Sequence, residues 1–146
     1  MSFNWEEYLI FADNLLAIIE NKSNYPEFVN EETLLRNAIS RAYYAAYHCA
    51  LDYLLNNTVF QRSRYDSHAT VIQAYQNSVY RDRKAIVPKL RLMREIRQRA
   101  DYDDVFQPNS QNQLMNLLES ARKATSSARE TLRMVRSFAP RTTKEI

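Results

Sequence analysis

Glycine is absent from all 146 residues of this chain. Without it no position takes a left-handed backbone cheaply. Tight hairpin turns, glycine-rich phosphate loops and dinucleotide folds with glycine fingerprints are therefore nearly excluded. Helix is what remains easy to build, and the alanine, leucine, glutamate, arginine and glutamine that fill the long stretches are good helix formers. The length suits one domain with a core of its own. The expected fold class is all-α: an antiparallel bundle of four to five helices over residues 1–139, with 140–146 as a flexible tail.

Apolar spacing places the helices. The first starts at Asn4, with Glu7 three residues on as in a capping box. It turns Trp5, Tyr8, Leu9, Ala12, Leu15, Leu16 and Ile19 to one face. The second opens at Asn30, carries Glu31 and Glu32 in its first turn, and runs to about Leu55, roughly 39 Å. Its small and apolar positions cover more than one face, so it is expected to be central. A short helix from Ser67 sends Ile72, Tyr75 and Val79 inward. Pro88 sits in the first turn of a fourth helix that ends near Asp103, with Leu90, Met93, Ile96 and Ala100 inward. Pro108 marks the start of the fifth, which takes Leu114, Leu117, Leu118, Ala121, Thr125, Ala128, Leu132 and Val135 to the core.

Composition narrows the chemistry. Cys49 is the single cysteine, so no internal disulfide forms, and on an apolar helical stretch it reads as a small buried hydrophobe. His48 is its neighbour but points about 100° away on a helix. No signal peptide opens the chain and no apolar run approaches a membrane span, so a cytoplasmic location without membrane contact is expected. His48 and His68 are the only histidines. Neither has the spacing of a metal site, and no cofactor is expected.

The net charge is +3, unevenly spread. Residues 1–35 carry seven acidic groups against Lys22, whereas residues 81–99 carry Arg81, Arg83, Lys84, Lys89, Arg91, Arg94, Arg97 and Arg99 against Asp82 and Glu95. The basic stretch reads either as a surface complementing acidic helices of the same bundle or as a strip for phosphate or an acidic partner.

The segment from Ser40 to Ala50 is the most informative. Arg41 and His48 lie about 20° from alignment, two turns apart, with Ala45 leaving space between them. Asp52 follows His48 at i+4, close enough to orient its ring, and Tyr44 flanks the stripe. One face thus offers a cation, a titratable ring, a carboxylate and a phenol. The competing reading is a buried polar ladder. On the fourth helix, Arg97 and Asp101 are spaced to pair. Arg94 shares their face, while Arg91, Gln98 and Tyr102 share another; the arginines suit phosphate or internal ion pairs. His68 opens the short helix, a position typical of surface or capping residues.

Ser40-Arg41-Ala42-Tyr43-Tyr44-Ala45-Ala46-Tyr47-His48 resembles the S-R-x-Y-Y-A-x-F/Y-H signature of small prokaryotic HEPN proteins (higher eukaryotes and prokaryotes nucleotide-binding). Arg97-Gln98-Arg99-Ala100-Asp101-Tyr102 is similar to that group's R-x-x-A-D-Y motif. Ser67-His68-Ala69-Thr70-Val71-Ile72 is similar to its H-x-G-V segment, with Ala69-Thr70 in place of the usual residues. The likeness spans roughly residues 30–135. It implies a HEPN-like bundle of four or five helices, usually a homodimer. Many such proteins are metal-independent endoribonucleases using R-x(4–6)-H, or partners of nucleotidyltransferases in toxin–antitoxin and other defence systems. Arg41 and His48 match that pattern at its longest spacing. In well-characterised members it generally lies on a later helix, and here no histidine follows Arg94, Arg97 or Arg99.

Two functions follow as expectations. In the first, RNA is cleaved: His48 moves a proton at the ribose 2′-hydroxyl, and Arg41 stabilises the pentavalent phosphate. Arg94, Arg97, Tyr44 and Tyr102 hold the strand, supported by Asp52, Asp101 and His68. In the second, the chain is a non-catalytic module for nucleotide, RNA or a nucleotidyltransferase partner. A third reading is a purely structural dimeric bundle whose motif residues form a satisfied internal network.

Overall fold

The computed structural model of the chain describes residues 3–21, 30–61, 67–103, 106 and 113–138. Six helical segments follow in order: α1 (Glu6–Glu20), α2 (Glu31–Asn57), α3 (Ser67–Gln76), α4 (Arg81–Lys84), α5 (Val87–Tyr102) and α6 (Gln113–Ser137). No strand occurs among the described residues. The all-α bundle expected from the apolar spacing is present, and the four-residue α4 is an addition to it.

Local chemistry explains the boundaries. The Asn4 side chain accepts the Glu6 amide at 3.2 Å and its carbonyl accepts the Glu7 amide at 3.0 Å, so regular helix begins just after Trp5. The side-chain bond falls one residue earlier than a capping box would place it. Asn30 caps α2 by accepting the Thr33 amide at 3.2 Å. Pro88 lies in the first turn of α5, where its missing N–H costs nothing. The other end of α5 is closed from across the bundle. Arg36 Nη1 donates to the carbonyls of Arg99, Ala100 and Asp103 at 3.2, 2.9 and 2.7 Å. It satisfies orphan acceptors and places a cation at the negative end of the helix.

The central role expected for the second helix holds. α2 packs against α1, α3, α5 and α6. Ala38, Ala42, Ala45, Ala46 and Ala50 are wholly buried, and their small side chains let neighbouring helices approach closely. The inward stripe of α5 is that read from the sequence, and on α1 Leu9, Ala12, Leu15, Leu16 and Ile19 are buried as expected while Trp5 and Tyr8 are half-buried. On α6, Leu117, Ala121, Thr125, Ala128, Leu132 and Val135 are buried and Leu118 is partly so. The Leu114 side chain, the start expected at Pro108 and the tail 140–146 lie outside the described residues.

Two expectations are corrected. Val79 is 80 % exposed, because α3 stops at Gln76 and the helical stripe that aimed Val79 inward does not reach it. Arg83, counted with the basic strip, is fully buried. Its guanidinium lies 4.3 Å from the Tyr80 ring centre and 5.2 Å from that of Tyr53.

The acidic first helix is matched by α6. Glu20 pairs with Arg122 at 3.1 Å, Asp13 with Arg129 at 2.7 Å, and Glu6 with Arg136 at 2.7 Å. The bond and the charge of Arg136 hold the Glu6 carboxyl below its ordinary pKa. A carboxylate depressed in this way favours the folded state above its unfolded pKa, and that contribution disappears as pH falls through the folded value. The Tm of the native chain is therefore expected to fall more steeply below pH 5 than that of Glu6→Gln. Parallel acid profiles would rule this clasp out as a contributor.

Candidate functional site

The site grows from the pitch of α2. Successive positions send Ser40 and Tyr44 toward α5, Tyr43 and Tyr47 toward α3, and Arg41 and His48 toward the start of α1. Residues adjacent in sequence thereby meet three different helices.

On the α5 side, Ser40 Oγ donates to Asp101 Oδ2 at 3.2 Å, and the same oxygen pairs with Arg97 Nε at 2.8 Å. Arg97 Nη2 donates to the Tyr44 hydroxyl and reaches that of Tyr102 at 3.4 Å. The guanidinium carbon lies 5.0, 5.3 and 5.8 Å from the ring centres of Tyr44, Tyr102 and Tyr43. Burial works against the Arg97 charge, but Tyr44, Asp101, Tyr102 and Tyr43 together outweigh it and raise its pKa further. The pairing expected between Arg97 and Asp101 is thus present, with Ser40 of α2 joined to it.

On the α3 side, the Tyr43 hydroxyl is 2.6 Å from His68 Nδ1, and Tyr47 stacks on the His68 ring at 4.2 Å between centres, 16° from parallel. Burial pushes the Tyr43 phenol well above its ordinary pKa, against the pull of Arg94 and Arg97. His68 is half-buried in the first turn of α3 and reaches α2 through these contacts.

On the α1 side, His48 lies flat on Trp5, with ring centres 3.5 Å apart and planes 8° from parallel. Tyr47 meets it edge-on at 5.0 Å, and Tyr44 lies 6.1 Å away. Arg41 stands over Tyr8 at 4.8 Å, and Tyr8 is 5.3 Å from Trp5. Arg41 and His48 therefore share the aromatic corner at the start of α1, and both are half-buried. Ala45 between them is wholly buried, so the gap expected there is closed. Asp52 lines a groove of about 330 Å³ with Trp5, Glu6, Cys49 and Arg136. Burial raises the Cys49 thiol to about 11, with Arg136 opposing and Asp52 and Glu6 adding. Such a thiol is a poor nucleophile at neutral pH.

Arg94 lines a groove of about 470 Å³ between α3 and α5 with Arg91, Gln98, Gln73, Glu95 and Ala69. Its charge still acts, together with that of Arg97, on the buried Tyr43 phenol. Sequence reasoning missed the partners Trp5, Tyr8 and Tyr43. Trp5 and Tyr8 lie on the inward stripe of α1, a signal for packing that carries no information about which α2 residue they meet. Among the described residues no three histidine, cysteine or acidic side chains gather as a metal site, and no helix is long and apolar enough to cross a membrane. The chain matches no protein-family model, no curated protein and no solved structure.

Proposed function

We propose that the protein is an RNA-directed helical module of the HEPN type, gripping a single strand through the tyrosine and arginine layer where α2 meets α5. One observation carries the reading. The three segments that resemble HEPN motifs are far apart in sequence yet bonded to one another: Ser40 to Asp101, Tyr44 to Arg97, and Tyr43 to His68. Tyr102, 69 % exposed beside Arg97, offers a ring on which a base would stack, and the guanidiniums of α5 supply charge for phosphate.

The test is binding of a short single-stranded RNA measured against salt. Affinity is expected to fall steeply as salt rises, and Tyr102→Ala, at an exposed position, is expected to weaken binding about tenfold while costing no more than about 1 kcal/mol of stability. Absence of binding at low salt would end the RNA reading and favour a protein partner such as a nucleotidyltransferase.

Metal-independent cleavage within a toxin–antitoxin or other defence system is a second reading. It is favoured by the shared corner of Arg41 and His48. His48 would move the proton of the 2′-hydroxyl, Arg41 would stabilise the phosphorane, and a homodimer would present two such corners. Cleavage of RNA in the presence of a chelator is expected, with loss of product in His48→Ala. Undiminished cleavage by that variant would refute the assignment.

A further inference from the structure

Beside the Arg97 layer, on the same seam between α2 and α5, lies a groove of about 240 Å³ lined by Thr33, Arg36, Asn37, Ala100 and Asp101. Asp101 belongs to both, and Tyr102 follows it in sequence. The volume is that of roughly eight waters, enough to seat a sugar ring. The one cation of the groove is engaged: Arg36 donates to the carbonyls that close α5 and pairs with Glu32. A phosphate therefore finds little here, and the groups left for a ligand are neutral or acidic.

Asp101 supplies the acceptor. Ser40 and Arg97 both meet its Oδ2, and among the described residues Oδ1 receives no hydrogen bond. Pairing with Arg97 offsets the charge that would otherwise repel a nucleic-acid backbone, while the carboxylate remains a stronger acceptor than a neutral group. Asn37 supplies the donor from the opposite helix. It lies one turn after Thr33 on α2, and its Nδ2 donates to the Thr33 carbonyl at 2.9 Å. That bond uses one N–H of the amide and leaves the other. A carboxylate oxygen and an amide N–H in one small groove suit a hydroxyl, which donates to the first and accepts from the second. The ribose 2′-hydroxyl has this dual character, and DNA lacks it.

We infer that the groove of Thr33, Asn37 and Asp101 is a ribose subsite, in which Asp101 Oδ1 accepts from a 2′-hydroxyl and Asn37 donates to it, so that the protein selects RNA over DNA. This rests on the reading of the Arg97 and Tyr102 layer as a grip for a single strand, and adds the sugar that the strand must carry. No bond is made or broken there.

The experiment measures binding of one short single-stranded sequence by the full chain, presented as RNA, as DNA and as its 2′-O-methyl form. RNA is expected to bind about tenfold more tightly than either of the others, because both lack the proton that the carboxylate accepts. Asn37→Ala, at an exposed position, is expected to shrink the RNA-to-DNA ratio about threefold or more. Asp101→Asn exchanges the charged acceptor for a neutral one and is expected to shrink it as well. A change that merely loosens the seam would weaken both strands alike and leave the ratio where it was. Equal affinity of the native chain for RNA and DNA overturns the subsite and leaves the grip standing for any single strand. A ratio undiminished in both variants, or a 2′-O-methyl strand bound as tightly as RNA, overturns it too. Binding of neither nucleic acid ends the strand reading and the subsite with it.

Discussion

Arg83→Met is expected to raise stability, by about 1–3 kcal/mol, visible as a higher urea midpoint and a higher Tm. The side chain is fully buried, and among the described residues Nε, Nη1 and Nη2 have no hydrogen-bond partner. Removing a guanidinium from water costs several kcal/mol, and only hydrogen bonds and an opposing charge repay that cost in full. Here the compensation is two tyrosine faces, Tyr80 and Tyr53, and a cation over desolvated rings recovers about 2 kcal/mol. Methionine keeps the length of the stem, makes favourable contacts with the same rings, and leaves no donor unsatisfied. Arg83→Lys is the informative companion. It keeps the charge but loses the planar stacking, and is expected to be less stable than the native chain. A clear loss of stability in Arg83→Met, comparable to that in Arg83→Lys, would show that the guanidinium is better compensated than its two ring contacts imply.

The second large effect is expected at Arg97. Arg97→Met should cost about 2–4 kcal/mol and reduce RNA affinity together with it. Its side chain is 11 % exposed and simultaneously meets Asp101, the Tyr44 hydroxyl and three rings. Removal strands the Asp101 carboxylate, 25 % exposed, with only the weaker Ser40 hydroxyl beside it. Part of the pair energy is lost to solvent, which is why the expected cost lies below that of a sealed ion pair. Asp101→Asn and Tyr44→Phe should each cost less, about 1 kcal/mol. A double-mutant cycle between Arg97→Met and Asp101→Asn should return a coupling of at least about 1 kcal/mol, since the two groups touch. Additive effects in that cycle would remove Arg97 from the centre of the network. Equal RNA binding by folded Arg97→Met would detach the network from recognition.

The proposed RNA grip depends on Arg97 and Tyr102, where α5 faces α2. Arg81 and Lys84 of α4 and Arg91 of α5 are exposed as well. Glu6, Asp13 and Glu20 of α1 are engaged by α6, and Lys89 of the basic strip acts on Glu130 of that same helix. Arg97 and Arg99 do form ion pairs, but with Asp101 and Glu95 of their own helix.

Much of this molecule was legible in the one-dimensional pattern. The lack of glycine and the three-and-four spacing of apolar residues sufficed for the helices, because burial of one face follows directly from helical pitch. Asn30 and Pro88 marked helix starts because their local chemistry acts within a few residues. Asp101 was legible as the partner of Arg97 for the same reason, being one turn away. Val79 misled because the pattern records which side chains share a face but not where the helix stops.

What the tertiary structure alone decided is which helix each face of α2 meets. Ser40, Tyr43, Tyr44 and His48 span just over two turns, yet they engage α5, α3, α5 and the start of α1 respectively. The fate of each cation followed from the same choice: Arg36 became a cap for α5, Arg83 went inside, and Arg97 joined Asp101 to Tyr44 of α2. Pitch fixes the direction of a side chain relative to its own axis, whereas its partner depends on how separate helices pack, and that is settled by the fit of the whole core.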